Sequence, residues 1–403
     1  EYRDFMMRDT GALGKNFPLE NGCRIPLKYG FELFYIDQSE DRKKSLADYP
    51  YTMVPKCYTT LDMAAIQQAG IAAVQNIPGL ELSGEGVLVG IIDTGINYLD
   101  PIFRNLDGST RIQRIWDQEE QSGTAPREIG YGSEYTKEQI NQAILSENPK
   151  ETVPSFDTDG HGTFVASVAC GGANPENLFI GAAPEAEMVI VKLKEAKEYL
   201  REYYFVDRDA GCYQENDLVA AVFYLQKVQE ELKRPLVICL AVGTSFGGHG
   251  GYSILSEYLQ NVAASEGIGI VTGSGNEADK RHHYLGILEQ ENNLPVEINV
   301  GNNTRGFVME LWTELPNLLA LSIASPTGQT VGPISLKRGI GEYVFVFEQT
   351  RVIFNYRVLV ETTGAQLAFF QFERPGSGIW KIIPETLELG NGIFHIWLPM
   401  EEF

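Results

Sequence analysis

The 403-residue sequence is poor in cysteine, short of basic residues and without a long apolar run. Its 5 cysteines, Cys23, Cys57, Cys170, Cys212 and Cys239, are odd in number and nowhere spaced C-x-x-C. Neither a disulfide framework nor a zinc site is suggested. Cys170 and Cys239 stand in apolar runs and are expected in the core. Only 32 Lys and Arg face 54 Asp and Glu, a formal net charge of −22. Such a chain lacks the clustered cations that neutralise phosphates, so no nucleic-acid partner is expected. The acidic surface is read first as solubility, with a basic substrate or cation sites as alternatives. No stretch approaches the roughly 18–20 apolar residues of a membrane span, so no membrane partner is expected either. The opening residues, EYRDFMMRDTG, lack the charged-then-apolar order of a signal peptide. That fits a protein kept inside the cell, although a signal already removed would leave the same start. Internal repeats and low-complexity runs are also missing.

What is present is an ordinary globular mixture, 43% hydrophobic and 21% charged, long enough for two or three domains. Residues 1–56 are mixed, with one clear strand candidate in GFELFYID (Gly30–Asp37). TTLDMAAIQQAGIAAVQN (Thr59–Asn76) has the spacing of a helix. An alternation follows. GVLVGIID, AEMVIVKL, PLVICLAVG and IGIVTGS are apolar strands, while HGTFVASVAC, DLVAAVFYLQKVQEELKR and SILSEYLQNVAASEG are helices between them. Unbroken apolar strands separated by helices predict an α/β fold, a parallel sheet covered on both faces. Beyond about residue 292 the chain reads as short strands divided by Gly, Pro and Asn, which predicts an all-β sandwich over 291–403.

Three short runs carry chemistry. Asp93 ends the strand GVLVGIID, where an open parallel sheet places functional groups; the plainer reading is a turn aspartate in DTG. An aspartic protease needs a second such carboxylate; a second DTG does stand at residues 9–11, but the all-β setting of those enzymes is missing. His161, between glycines in DTDGHGT, opens a helix. A nearby carboxylate such as Asp93 would hold its ring in one tautomer; otherwise it ties down a loop. Asn276 in VTGSGNEAD also follows a strand. Its amide can donate to a developing oxyanion, or it is a turn asparagine beside glycine.

VGIIDTGI, DGHGTFVAS, GAAPEAEMVIVKL, VICLAVGTSFGG and VTGSGNEAD together resemble the subtilisin-like serine proteases, whose catalytic order is Asp, His, Ser. IIDTGINYLDPIF, RIQRIWDQ, YGSEYTKEQINQAI and a β-sandwich after the asparagine resemble more narrowly the Csp germination-protease branch of spore-forming bacteria, which carries a jelly-roll insert there. The resemblance spans about residues 45–403. It implies that Asp93 orients His161, that His161 moves the serine proton, and that Asn276 stabilises the oxyanion. Ala241-Val242-Gly243 stands where the family often has Ser-Leu-Gly along the substrate-binding edge strand. The implied organisation is a propeptide-like segment over 1–56 with maturation near Tyr51–Thr59, a subtilisin-like catalytic domain over 57–290, and the jelly roll over 291–403. Implied partners are a protein or peptide substrate and the chain's own propeptide. No cofactor is expected, and calcium, although compatible with the family, is given no site by any motif.

The nucleophile is the missing member. Gly243-Thr244-Ser245 has the letters of the family's serine motif but precedes Asn276 and runs into Phe246-Gly247-Gly248-His249-Gly250, a loop. Ser253 and Ser274 are equally out of context. In this branch the serine follows the jelly roll, so the expectation is a C-terminal part of the catalytic domain carrying it. The leading expectation is a serine endopeptidase acting on a spore zymogen such as a cortex hydrolase, in a bacterial protein that is spore-associated or cytoplasmic. Its alternatives are an inactive pseudoprotease acting in binding or signalling, and a secreted degradative subtilase.

Overall fold

The computed structural model describes residues 2–8, 22–39, 45–60, 70–75, 77, 82–174, 179–288, 295–334, 339–357, 360, 364–388, 390–401 and 403. Its centre is a six-stranded sheet ordered Ile268–Thr272, Leu236–Leu240, Leu88–Asp93, Glu187–Lys192, Ile112–Asp117, Ser133–Thr136. The first five strands run parallel, and Ser133–Thr136 closes one edge antiparallel. Leu88–Asp93 lies inside the sheet and is buried along its whole length, which explains its unbroken apolar sequence. Its side chains alternate between two cores. Leu88 and Ile92 pack with the long helix Glu215–Leu232, while Val89 and Ile91 pack with His161–Cys170 on the other face. Gly90 permits the close approach of that long helix, since a Cβ there would lie 2.6 Å from Leu225 Cδ1.

Glu215–Leu232 reads as amphipathic, yet Asn216, Asp217 and Gln226 on its polar side are buried too. The cover is a three-stranded antiparallel sheet made by Tyr2–Arg8, Phe31–Asp37 and Gly22–Pro26. Met6, Ile25, Phe31 and Leu33 of that sheet join the core of the helix. Most of these buried polar groups are matched: Asp217 Oδ1 accepts from the Tyr131 hydroxyl at 2.9 Å and pairs with Lys194 at 2.7 Å, while its Oδ2 has no hydrogen-bond partner among the described residues. Asp4 accepts from Gln214 Nε2 at 3.1 Å and pairs with Lys197 at 2.6 Å.

The C-terminal region is a sandwich of a six-stranded and a four-stranded sheet around Leu311, Leu321, Phe354, Phe370 and Trp380. It begins earlier than residue 291, because His283–Ile287 pairs with Ile393–Trp397. The two histidines in HHYLGIL hide that strand's alternation. Three further differences from the sequence reading have local causes. Thr59 and Thr60 end a strand, Cys57–Thr60, rather than opening a helix; the helix described there is Ile71–Gln75, and 61–69 lie outside the described residues. The run 235–243 breaks at Ala241 into Leu236–Leu240 and Val242–Gly243. Thr330–Ile334 forms a strand despite its Gly-Pro pair.

Candidate active site

Three adjacent strands of the central sheet end together. Ile92 is level with Leu240, and Leu240 with Thr272. The chain therefore delivers Asp93, Ala241–Gly243 and the turn bearing Asn276 to one edge, the carboxyl edge where α/β sheets bind and react.

Asp93 is fully buried. Its Oδ1 accepts from Thr94 N at 2.7 Å and from His161 Nδ1 at 2.7 Å, and its Oδ2 has no hydrogen-bond partner among the described residues. A carboxylate only accepts, so Nδ1 carries the proton and Nε2 is left as the basic nitrogen. Burial raises the Asp93 pKa, opposed by the bonds from His161 and Thr94. His161 is the first residue of its helix, preceded by Gly160 in the left-handed region at φ 97°. Gly162 is required by contact: a Cβ there would lie 2.3 Å from Gly95 O. The two glycine-bearing runs thus close on each other with the Asp–His bond between them.

A second carboxylate, which the sequence reading did not single out, fastens this junction. Asp157 accepts from Thr94 Oγ1 at 2.9 Å, Gly160 N at 2.8 Å, Thr163 N at 2.8 Å and Thr163 Oγ1 at 2.5 Å. Thr94 Oγ1 in turn accepts from Gly162 N at 2.8 Å. Burial disfavours the Asp157 charge, but the bonds from Thr163, Gly160 and Thr94 outweigh it and hold its pKa below the ordinary value. The signal was there: Asp157 stands four residues before His161, the reach of one helical entry turn.

Val242–Gly243 pairs antiparallel with the N-terminal segment, Val242 opposite Thr60 and Gly243 opposite Thr59. The other edge of Cys57–Thr60 pairs with Tyr213–Gln214. An extended segment therefore lies between two strands of the α/β domain, beside the strand end that carries Asp93. Tyr213–Gln214, two residues long, has no periodicity to read. Asn276 is exposed, in a turn that begins with Gly275 at φ 90°. Ser245 is buried in the loop after Val242–Gly243, and Ser253 caps the helix Ile254–Ala263 by accepting from Ser256 N at 3.1 Å. Among the described residues, no group of three or more His, Cys, Asp or Glu is placed to hold a metal ion.

The subtilase family model matches residues 84–305. The chain is similar to subtilisin of Bacillus sp. strain TA39, 25% identical over 218 residues that make 53% of this chain and 40% of that protein. It is similar to the subtilisin-like protease SBT2.2 of Arabidopsis thaliana, 33% identical over 102 residues, 23% of this chain and 12% of the relative. Among solved structures it resembles the Clostridium perfringens CspB protease, with a TM-score of 0.70 and 29% identity, covering 82% of this chain and 65% of that one. The chain spans less than two thirds of the length of each of these relatives.

Proposed function

The chain belongs to the subtilase family, and from that membership we propose that it carries the acid–base half of a serine endopeptidase site. The observation that supports this most is the Asp93–His161 bond of 2.7 Å beside an edge strand already paired with an extended peptide. In this reading a serine hydroxyl attacks the peptide carbonyl and its proton passes to His161 Nε2. Asp93 orients the ring and stabilises its charged form. The Asn276 amide donates to the tetrahedral oxyanion, a contact worth about 2.7–4 kcal/mol in the transition state. As the C–N bond breaks, His161 returns the proton to the leaving amine. A water, deprotonated by the same nitrogen, then hydrolyses the acyl ester. Ala241–Gly243 holds the substrate backbone.

The N-terminal region acts as a propeptide, its end lying in the groove as Cys57–Thr60. A cut made by the protein's own site then falls C-terminal to Thr60, later than the Tyr51–Thr59 stretch and the boundary at 56 expected from the sequence, because residues paired with Val242–Gly243 lie on the acyl side of the bond. The physiological substrate is a spore zymogen such as a cortex hydrolase, in a spore-associated or cytoplasmic setting; this part rests on the branch resemblance alone.

No serine of the described residues is assigned as nucleophile. Labelling the protein expressed from its complete gene with a fluorophosphonate, and mapping the label by peptide mass spectrometry, tests the reading directly. One labelled serine is expected, in a Gly-Thr-Ser run that opens a helix, with labelling lost in His161→Ala. A protein that takes no label once the groove is cleared is instead a pseudoprotease.

A further inference from the structure

A pocket of about 480 Å3 opens beside the groove. One wall is the continuation of two neighbouring strands, Gly243–Ser245 and Gly273–Gly275; the other includes Arg281, His283 and Trp397. On the reading above, a peptide paired with Val242–Gly243 places the side chain preceding the scissile bond here, next to the Asn276 turn. The sandwich therefore builds part of the wall that reads the substrate.

The charges in that wall are unequal. Glu277 is the carboxylate lining the pocket, and both its oxygens are engaged: Oε2 accepts from His282 Nδ1 at 2.6 Å and Oε1 from Glu401 N at 3.3 Å. The Trp397 indole stacks against His249 and His283, with centroids 3.7 Å apart in each case. Desolvation and the proximity of other histidines lower the pKa values of both rings, that of His249 to about 4. Arg281 differs from all of these. Among the described residues no hydrogen bond or ion pair holds its guanidinium, and its backbone sits in the left-handed region at φ 61°. A residue with a Cβ held there is disfavoured, and such strain persists chiefly where the surroundings impose it, often at functional sites.

We infer that Arg281 is a specificity-determining residue that selects a carboxylate side chain, Glu or Asp, immediately before the scissile bond. A guanidinium binds a carboxylate through two parallel N–H···O bonds. The carboxamide of Gln matches only one of those acceptors, and Lys is repelled.

The test uses the protein from its complete gene, its groove cleared, with peptides that differ only at that position. Glu is expected to exceed Gln by about tenfold or more in kcat/KM, as for a hydrogen bond to a charged group. Arg281→Glu should reverse the order in favour of Lys, and Arg281→Lys should keep a weaker acidic preference. Unchanged thermal unfolding midpoints will show that the variants fold. A protein that takes the fluorophosphonate label yet cleaves Glu no better than Gln, before and after Arg281→Glu, overturns the assignment and leaves the protease reading standing. One that neither labels nor cleaves overturns both.

Discussion

At the scale of single residues, the bonded pair Asp93 and His161 is held by a residue that bonds to neither side chain. Asp157 binds Thr94, which follows Asp93, and Gly160 and Thr163, which flank His161. Replacing its carboxylate with an amide puts donors against donors. Asp157→Asn is expected to lower kcat by about ten- to a hundredfold, because small misplacements of catalytic groups cost on that order, while KM changes little. Stability should fall by about 2–3 kcal/mol at pH 7, the worth of a hydrogen-bonded buried charge. The pH dependence separates this clamp from plain packing. The folded-state pKa of Asp157 lies below its unfolded value, so its contribution is present above pH ~4 and is lost as pH falls through the folded pKa. Wild type and Asp157→Asn should therefore converge in unfolding midpoint below about pH 4 and differ most near neutrality. A constant gap across that range would assign Asp157 a packing role instead.

At the scale of elements, Cys57–Thr60 lies in the groove with its backbone paired on both edges, and on the proposed reading this strand is the inhibitory device. Proline at position 59 cannot donate to Gly243 or to the opposite edge and is confined to edge strands, whereas Cys57–Thr60 has a neighbour on both sides. Thr59→Pro should free the groove and raise the rate of fluorophosphonate labelling of the intact, uncut protein, read by gel fluorescence against time. What the sequence made legible, and what it hid, divides along the same lines. Leu88–Asp93 is buried on both faces and reads as an apolar run; His161–Cys170 is announced by its glycine turn. Both signals are local. Tyr213–Gln214 and Cys57–Thr60 are strands only because each finds a partner about 155 residues away in sequence, and no window of residues contains that information. Tyr2–Arg8 escaped for another reason: Asp4 is buried among Phe5, Met6 and Met7, because Lys197 and Gln214 meet its charge from elsewhere. Arg281 carries no sequence signal at all, since the role proposed for it rests on its having no partner among the described residues.

At the scale of the whole molecule, one buried carboxylate joins three regions that the sequence treats as separate. Glu310, on a strand of the sandwich, accepts from the Tyr51 hydroxyl of the N-terminal region, from Gly247 N at 3.0 Å in the loop after the groove edge, and from Trp312 Nε1 at 2.9 Å. Nearby Lys56, also buried, donates to Tyr51 O at 3.0 Å and Val54 O at 2.8 Å and lies 3.8 Å from Glu215 of the long helix. Asn355 Nδ2 donates to Ala47 O at 3.3 Å and extends the same seam. The sandwich thus grips the N-terminal region on one side and the groove loop on the other. Removing the Glu310 side chain leaves three buried donors without an acceptor and Lys56 with less opposing charge, so Glu310→Ala should cost about 3–5 kcal/mol. The loss should not be spread evenly. Hydrogen exchange at 46–60 and 243–250 should accelerate far more than in the central strand Leu88–Asp93, since local opening follows the contacts removed. Uniform acceleration would mean that Glu310 supports only global stability. A selective response would make the sandwich the element that sets how long the N-terminal segment stays in the groove.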